Sequence, residues 1–207
     1  MITTRPSRSA IVLVLLTNLV PVLGVLWAGW DAGPILLLYW IESLVLGLYS
    51  IPKIIATGRG TAKAYAVGLF FSLHYGLFCL IHLLFVLKLA GPQAATYAEA
   101  WQALTAGRGF GLSVISVAVL AALGQWLNWW RPQLRRTSTV PREMRAPYSR
   151  VVILHLTVLL SAVLILHFDT PAITILVLCA IKTLIELVQT RLPVPRPRPK
   201  RKAVRAA

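Results

Sequence analysis

Six stretches of mostly apolar residues divide the chain: 10–29, 35–55, 64–90, 111–130, 151–167 and 172–190. Each is close to the roughly 20 residues that an α-helix needs to cross about 30 Å of hydrocarbon. Strands of a membrane barrel would be about ten residues long and would alternate apolar with polar positions. Backbone polar groups in lipid must be satisfied within their own segment, so apolar runs of this length must be helical. The pattern predicts an all-α polytopic membrane bundle of six transmembrane helices over residues 10–190. A short segment, 1–9, precedes it and a basic tail, 191–207, follows. Pro21 lies inside the first run and predicts a kink there. Arg5 and Arg8 precede that run, which is too long for a signal-peptide core, so an uncleaved anchor is expected.

The polar positions between the runs add a direction. Of the 21 Lys and Arg residues, eighteen fall on one side: seventeen before run 1, between runs 2 and 3, between runs 4 and 5, or after run 6, and Lys53 near the end of run 2. Lys88, near the end of run 3, and Arg108 are on the other side, and Lys182 is inside the last run. Basic loops stay on the cytoplasmic side, so this alternation predicts both termini in the cytoplasm (N-in/C-in) and an even number of spans. The net charge of +15 would suit a nucleic-acid binder, but here it lies in short loops beside apolar runs. Nucleic acid is therefore excluded as the expected partner, and the lipid bilayer takes its place. The interleaved Pro and Arg of 193–199 predict an extended, solvated tail. Each of its basic residues gains about 1 kcal/mol beside anionic lipid headgroups. Trp27, Trp30, Tyr39 and Trp40 are expected at the outer headgroup layer, and Trp126, Trp129 and Trp130 at the inner one. Tyr97, Trp101 and Leu104 recur at helical spacing within 91–110 and predict a short helix on the outer surface.

Candidate chemistry rests on the few polar groups inside the runs. They are Glu42, His74, His82, His155, Lys182 and Glu186, with Asn18 and Gln125 as neutral additions. An ionisable group at mid-bilayer costs roughly 2.5–3.5 kcal/mol on the insertion scale, so each needs a partner, water or a function. Counting about 1.5 Å per residue puts Glu42 and His82 at one depth below the outer boundary. The same count puts His155 and Glu186 at one depth above the inner boundary, and His74 with Lys182 near the midplane. Lys182 and Glu186 are four apart and share a helix face. Glu42 would suit a proton or cation site, and the two helix-3 imidazoles a relay or metal ligation.

Metal and haem are poorly served. His74 and His155 differ by roughly 9 Å in depth, too much for two axial ligands. Zinc would find His82 and Glu42, one short of the usual three ligands. Ser43 near His82 is the one loose arrangement for a hydrolase. Cys79 and Cys179 lie in separate runs without a CxxC pair, and suit small core positions. Gly107, Gly109 and Gly111 follow no strand and do not make a nucleotide fingerprint. No metal site and no cofactor is identified.

Two segments carry a resemblance. One runs from Trp30 and Asp31 through Gly33, Ile35 and Tyr39–Trp40 to Glu42; the other is His74-Tyr75-Gly76 with Phe78 and His82. With Tyr148, Arg150 and His155, and with Lys182-Thr183 before Glu186, they resemble an uncharacterised prokaryotic family of small polytopic membrane proteins, a domain of unknown function. The resemblance covers roughly residues 10–190. It implies a multi-span protein of the plasma (inner) membrane whose shared motifs carry the buried polar groups. An acidic residue is usual where Glu186 stands. Leu83 departs from the family's small residue after His82. The residues also have a plain reading: Asp31 caps helix 2, Pro34 suits its first turn, and Tyr39 shares a face with Glu42.

The surplus of buried ionisable groups favours a small-solute or ion/proton binding or transport protein, with Glu42, His74 and His82 lining a polar pocket and Lys182 with Glu186 neutralising it. A membrane-embedded enzyme, metal-assisted or not, is the alternative. A structural or partner-binding role, in a homo-oligomer or membrane complex, is the third.

Overall fold

The computed structural model describes residues 8–90, 93–130, 139–141, 143–145, 147–148, 152, 156, 160 and 171–191. Among these the chain is helical and contains no strand. Helix α1 spans Arg8–Ala28, α2 Ala32–Thr57 and α3 Ala62–Ala90. A short α4, Tyr97–Thr105, leads into α5, Phe110–Gln125, which ends in a π-helical turn, Trp126–Trp130. Helix α6 is Pro171–Arg191. Helices α1, α2 and α3 are long and apolar enough to cross a membrane, and a fourth span results if α4 and α5, bent by 83°, count as one.

Helix α2 starts at Ala32 because Asp31, in an extended conformation, accepts the N–H of Gly33 at 3.0 Å. It ends where Gly58, Arg59 and Gly60 turn the chain, with Arg59 at φ 58° and Gly60 at φ 65°. It is the central helix. Every residue of 33–40 is buried, and α2 packs along α3 with α1, α5 and α6 around it. Facing outward are Leu15, Leu16 and Leu19 of α1, Leu69, Phe70, Leu73 and Leu77 of α3, and Leu112 and Ile115 of α5. An apolar exterior around a core that holds carboxylates reverses the arrangement of a water-soluble domain. It matches hydrocarbon as the solvent.

Trp30 ties the outer end together. Its indole N–H donates to the Arg108 carbonyl at 3.1 Å, its ring lies 5.6 Å from Phe110, and its backbone N–H bonds the Gly24 carbonyl. A Cβ at Gly24 would sit 2.3 Å from the Trp30 ring, so only glycine lets α1 approach so closely. The expectation that Trp30, Tyr39 and Trp40 sit at the headgroup layer is therefore corrected. All three are buried, and of that group Trp27 alone is exposed, at 78%. The indole of Trp40 donates to the Cys79 carbonyl at 2.8 Å. Each polar atom has an internal acceptor, which removes the reason to seek the interface.

Two further expectations change. The short helix at 97–105 forms, capped by Thr96 with Glu99 reaching back to the Ala95 N–H. Tyr97 and Trp101 are exposed, but Leu104 turns into the core. Within the connection expected between runs 4 and 5, residues 140–141, 143–145 and 147–148 are helical. Pro141 lies in the first turn of this segment, where a missing N–H costs nothing. The bond from the Glu143 N–H to the Thr139 carbonyl opens that helix. Of run 5, Val152, Leu156 and Leu160 are described and helical.

Candidate functional site: a buried carboxylate–ammonium cluster

Three helices bring one ammonium, two carboxylates and one amide to a point. Glu42 comes from α2, and Lys182 and Glu186 from successive turns of one face of α6. Lys182 Nζ lies 3.0 Å from Glu42 Oε2, 3.0 Å from Glu186 Oε1 and 3.2 Å from Asn18 Oδ1. Its three N–H bonds are thereby used. Asn18, from α1, donates through Nδ2 to Glu186 Oε2 at 2.7 Å and to the Val14 carbonyl at 2.9 Å. All four side chains are buried.

The depths agree once the helix starts are known. Glu42 is ten residues below the start of α2 and Lys182 eleven below the start of α6, or about 15 and 16 Å. The sequence reading began run 2 at residue 35, which set Glu42 about 4.5 Å too shallow and directed it towards His82. Glu42 pairs instead with Lys182.

One side of the cluster is closed. The Tyr39 ring covers Lys182 with its centroid 4.4 Å from Nζ, a cation–π contact, and the Tyr39 hydroxyl meets Cys179 Sγ at 3.0 Å. Beyond Tyr39, residues 35–38 are buried. The other side is open space. A cavity of about 210 Å³ lies between α1, α2, α5 and α6, with Glu42 and Glu186 in its wall. Ala10, Leu13, Val14 and Thr17 line it from α1, Leu120, Ala121, Gly124 and Gln125 from α5, and Leu46 from α2. From Thr17 to Ala10 the lining follows α1 for about 10 Å towards its first residues. Pro21 has no N–H for the Thr17 carbonyl four residues earlier, so a backbone acceptor is freed at the cluster end of this cavity.

The remaining sequence candidates lie elsewhere. His74 is exposed on α3, its ring 5.6 Å from Phe70 and 5.8 Å from Tyr148. His82 is buried, its ring 4.6 Å from Phe78 and Nδ1 3.3 Å from the Phe78 carbonyl. His155 lies outside the described residues. Ser43 donates its hydroxyl to the Tyr39 carbonyl one turn back, and its own carbonyl accepts from Tyr75 at 2.8 Å. Among the described residues no group of three His, Cys, Asp or Glu side chains could hold a metal.

Sequence reasoning named Asn18 only as a neutral addition, yet it links Lys182 to Glu186. It also passed over a second buried pair, Lys53 with Glu143 at 3.4 Å, having counted Lys53 among the loop charges. Lys53 lies at the end of α2, where Trp129 of the π-helical turn is 6.0 Å from its ammonium. The signal that could have found this pair is an acidic residue, Glu143, alone in a strongly basic connection.

No curated protein and no solved structure matches the chain. A model of a family of unknown function, DUF6498, matches residues 1–204. The buried polar cluster is thus carried on a chain that belongs, over nearly its whole length, to the DUF6498 family of unknown function.

Proposed function

We propose that this is a membrane-embedded binding or transport protein that takes up a proton or small cation at Glu42 and Glu186. One observation carries the reading: two carboxylates meet at the Lys182 ammonium in a buried cluster, and both carboxylates line the same cavity. The two carboxylates concentrate negative charge beside the Lys182 ammonium, away from water. Buried charge is costly to keep, which supports uptake of a proton or a monovalent cation at this site. Lys182 fixes the carboxylates, Asn18 holds the amide end, and the cavity supplies the way in and out. His74 and His82 then serve as flanking polar groups on α3.

The layout that goes with this reading is six spans over 10–190 in the plasma membrane of a prokaryote, with the N-terminus and the 191–207 tail in the cytoplasm. The split of basic residues supports it. The cavity then faces the cytoplasm, because α1 begins on that side.

Infrared spectroscopy of the protein in lipid vesicles tests the site. A protonated-carboxyl band that Glu42→Gln or Glu186→Gln removes is the expected result. An unchanged spectrum in both variants, together with unchanged cation and proton flux, would overturn it.

A further inference from the structure

We propose that the cavity beside the α2–α3 turn is a binding site for an anionic phospholipid. This cavity, about 560 Å³, lies between the start of α3 and the helical residues 140–141, 143–145 and 147–148. Its walls are of two kinds. Val67, Val140 and Met144 form an apolar side, and Lys63 and Arg145 supply two exposed cations.

Among the described residues nothing neutralises these charges. Among the described residues no carboxylate lines the cavity, and neither Lys63 nor Arg145 has an ion-pair partner. Glu143, two residues before Arg145, is buried and already paired with Lys53. The cavity also lies beside the first turn of α3, the partly positive end of that helix, where Thr61 Oγ1 accepts the Ala64 N–H at 3.3 Å. Tyr148 adds a donor deeper in: its hydroxyl is buried with no hydrogen-bond partner among the described residues, and its ring lies level with Phe71 and Tyr75, well along α3.

From mouth to floor the cavity runs from the cations along the apolar wall to Tyr148. An anionic phospholipid offers the complement: its phosphate for the cations and its acyl chain for the apolar wall. Basic pockets between helices at the membrane edge take such headgroups. A free inorganic anion would leave the apolar wall without a partner, and a zwitterionic lipid would offset the phosphate with its own cation.

The experiment uses the full chain in a neutral detergent. Short-chain phosphatidylglycerol, phosphatidylcholine and inorganic phosphate are titrated separately, and bound lipid is read by native mass spectrometry alongside the unfolding temperature. Phosphatidylglycerol should remain bound and raise the unfolding temperature; the other two should do neither. Lys63→Gln/Arg145→Gln should weaken phosphatidylglycerol about tenfold or more. Arg201→Gln/Lys202→Gln, which removes the same charge from the tail, should not. Val67→Phe fills the apolar side while keeping both cations, so it should lose the lipid too and stands in if the double variant fails to fold. Equal retention of phosphatidylcholine, competition by inorganic phosphate, or an equal loss from the tail variant would overturn the proposal.

Discussion

The Asn18 amide donates to Glu186 Oε2 across 2.7 Å, closing a contact between residues 168 positions apart. The same side chain accepts from Lys182 through Oδ1. One neutral residue of α1 thus touches both ends of the i,i+4 ion pair on α6. Asn18→Leu would leave one carboxylate oxygen and one ammonium proton unsatisfied while placing an apolar group against them. The expected cost is about 1–3 kcal/mol, from the penalty for buried polar groups left unpaired. Unfolding of the purified protein in mixed micelles measures it. Asn18→Asp should cost more, because it adds a third carboxylate to a cluster with one cation.

Lys182 occupies the centre of the cluster, so removing it should do more harm than removing the whole charged set. Lys182→Met leaves Glu42 and Glu186 facing each other without their cation. Breaking one member out of a buried ionic group costs about 3–5 kcal/mol, whereas replacing all its charges is often close to neutral. Lys182→Met/Glu42→Gln/Glu186→Gln should therefore be more stable than Lys182→Met alone. Expression level and melting temperature in detergent provide the comparison. A triple variant less stable than the single one would show that the carboxylates hold the helices without needing the lysine.

Much of this was legible in the chain, and the gaps have a common cause. The ends of α1, α2, α3 and α6 follow from the apolar runs to within three residues, because a long apolar run away from water satisfies its backbone as a helix. The Asp31 cap and the Lys182–Glu186 pair are local in sequence, and both form. The facing of the helices was not legible. Helices α1 and α3 are apolar nearly all round, so no polar stripe says which side meets protein and which meets lipid. Trp30, Tyr39 and Trp40 illustrate the ambiguity: an amphipathic ring near a helix end suits the headgroup layer or a core acceptor equally. The acceptors, the carbonyls of Arg108 and Cys79 and the thiol of Cys179, are far away in the sequence. The partner of Glu42 was missed for another reason: a helix start read three residues late put Glu42 level with His82 and above Lys182.

Gly24 is the tightest approach of α1 to the α1–α2 turn. Its missing Cβ leaves room for the Trp30 ring, which would otherwise be 2.3 Å away. The ring cannot yield easily, because its N–H is fixed on Arg108 and its face on Phe110. Gly24→Val should therefore destabilise by about 1–3 kcal/mol, the range for forced overpacking. Gly76, beside which a Cβ would meet nothing within 4 Å, is the control. Gly76→Ala should be neutral or stabilising by up to about 1 kcal/mol, through helix propensity. Parallel melting curves of the two variants decide.

Gly124 stands in the wall of the cavity that reaches the cluster, and a Cβ there would meet Leu13 Cδ1 at 3.6 Å, an ordinary contact. Gly124→Ala should therefore fold normally. Gly124→Leu should fold too, since its side chain can enter open space, but it would fill much of the about 210 Å³ beside Glu42 and Glu186. The two variants separate a conduit from a packing defect. If the cavity is the route to the carboxylates, hydrogen–deuterium exchange at the carboxyl band should be fast in Gly124→Ala and slowed at least tenfold, about 1.4 kcal/mol, in Gly124→Leu. A thiol placed at Ala121, in a background with Cys79→Ala and Cys179→Ala, should react with a membrane-impermeant maleimide from the side where α1 begins. One at Leu36, behind Tyr39, should not react from either side. Equal exchange in the two Gly124 variants would mean that protons reach Glu42 by way of α3 instead, which would put His82 in their path.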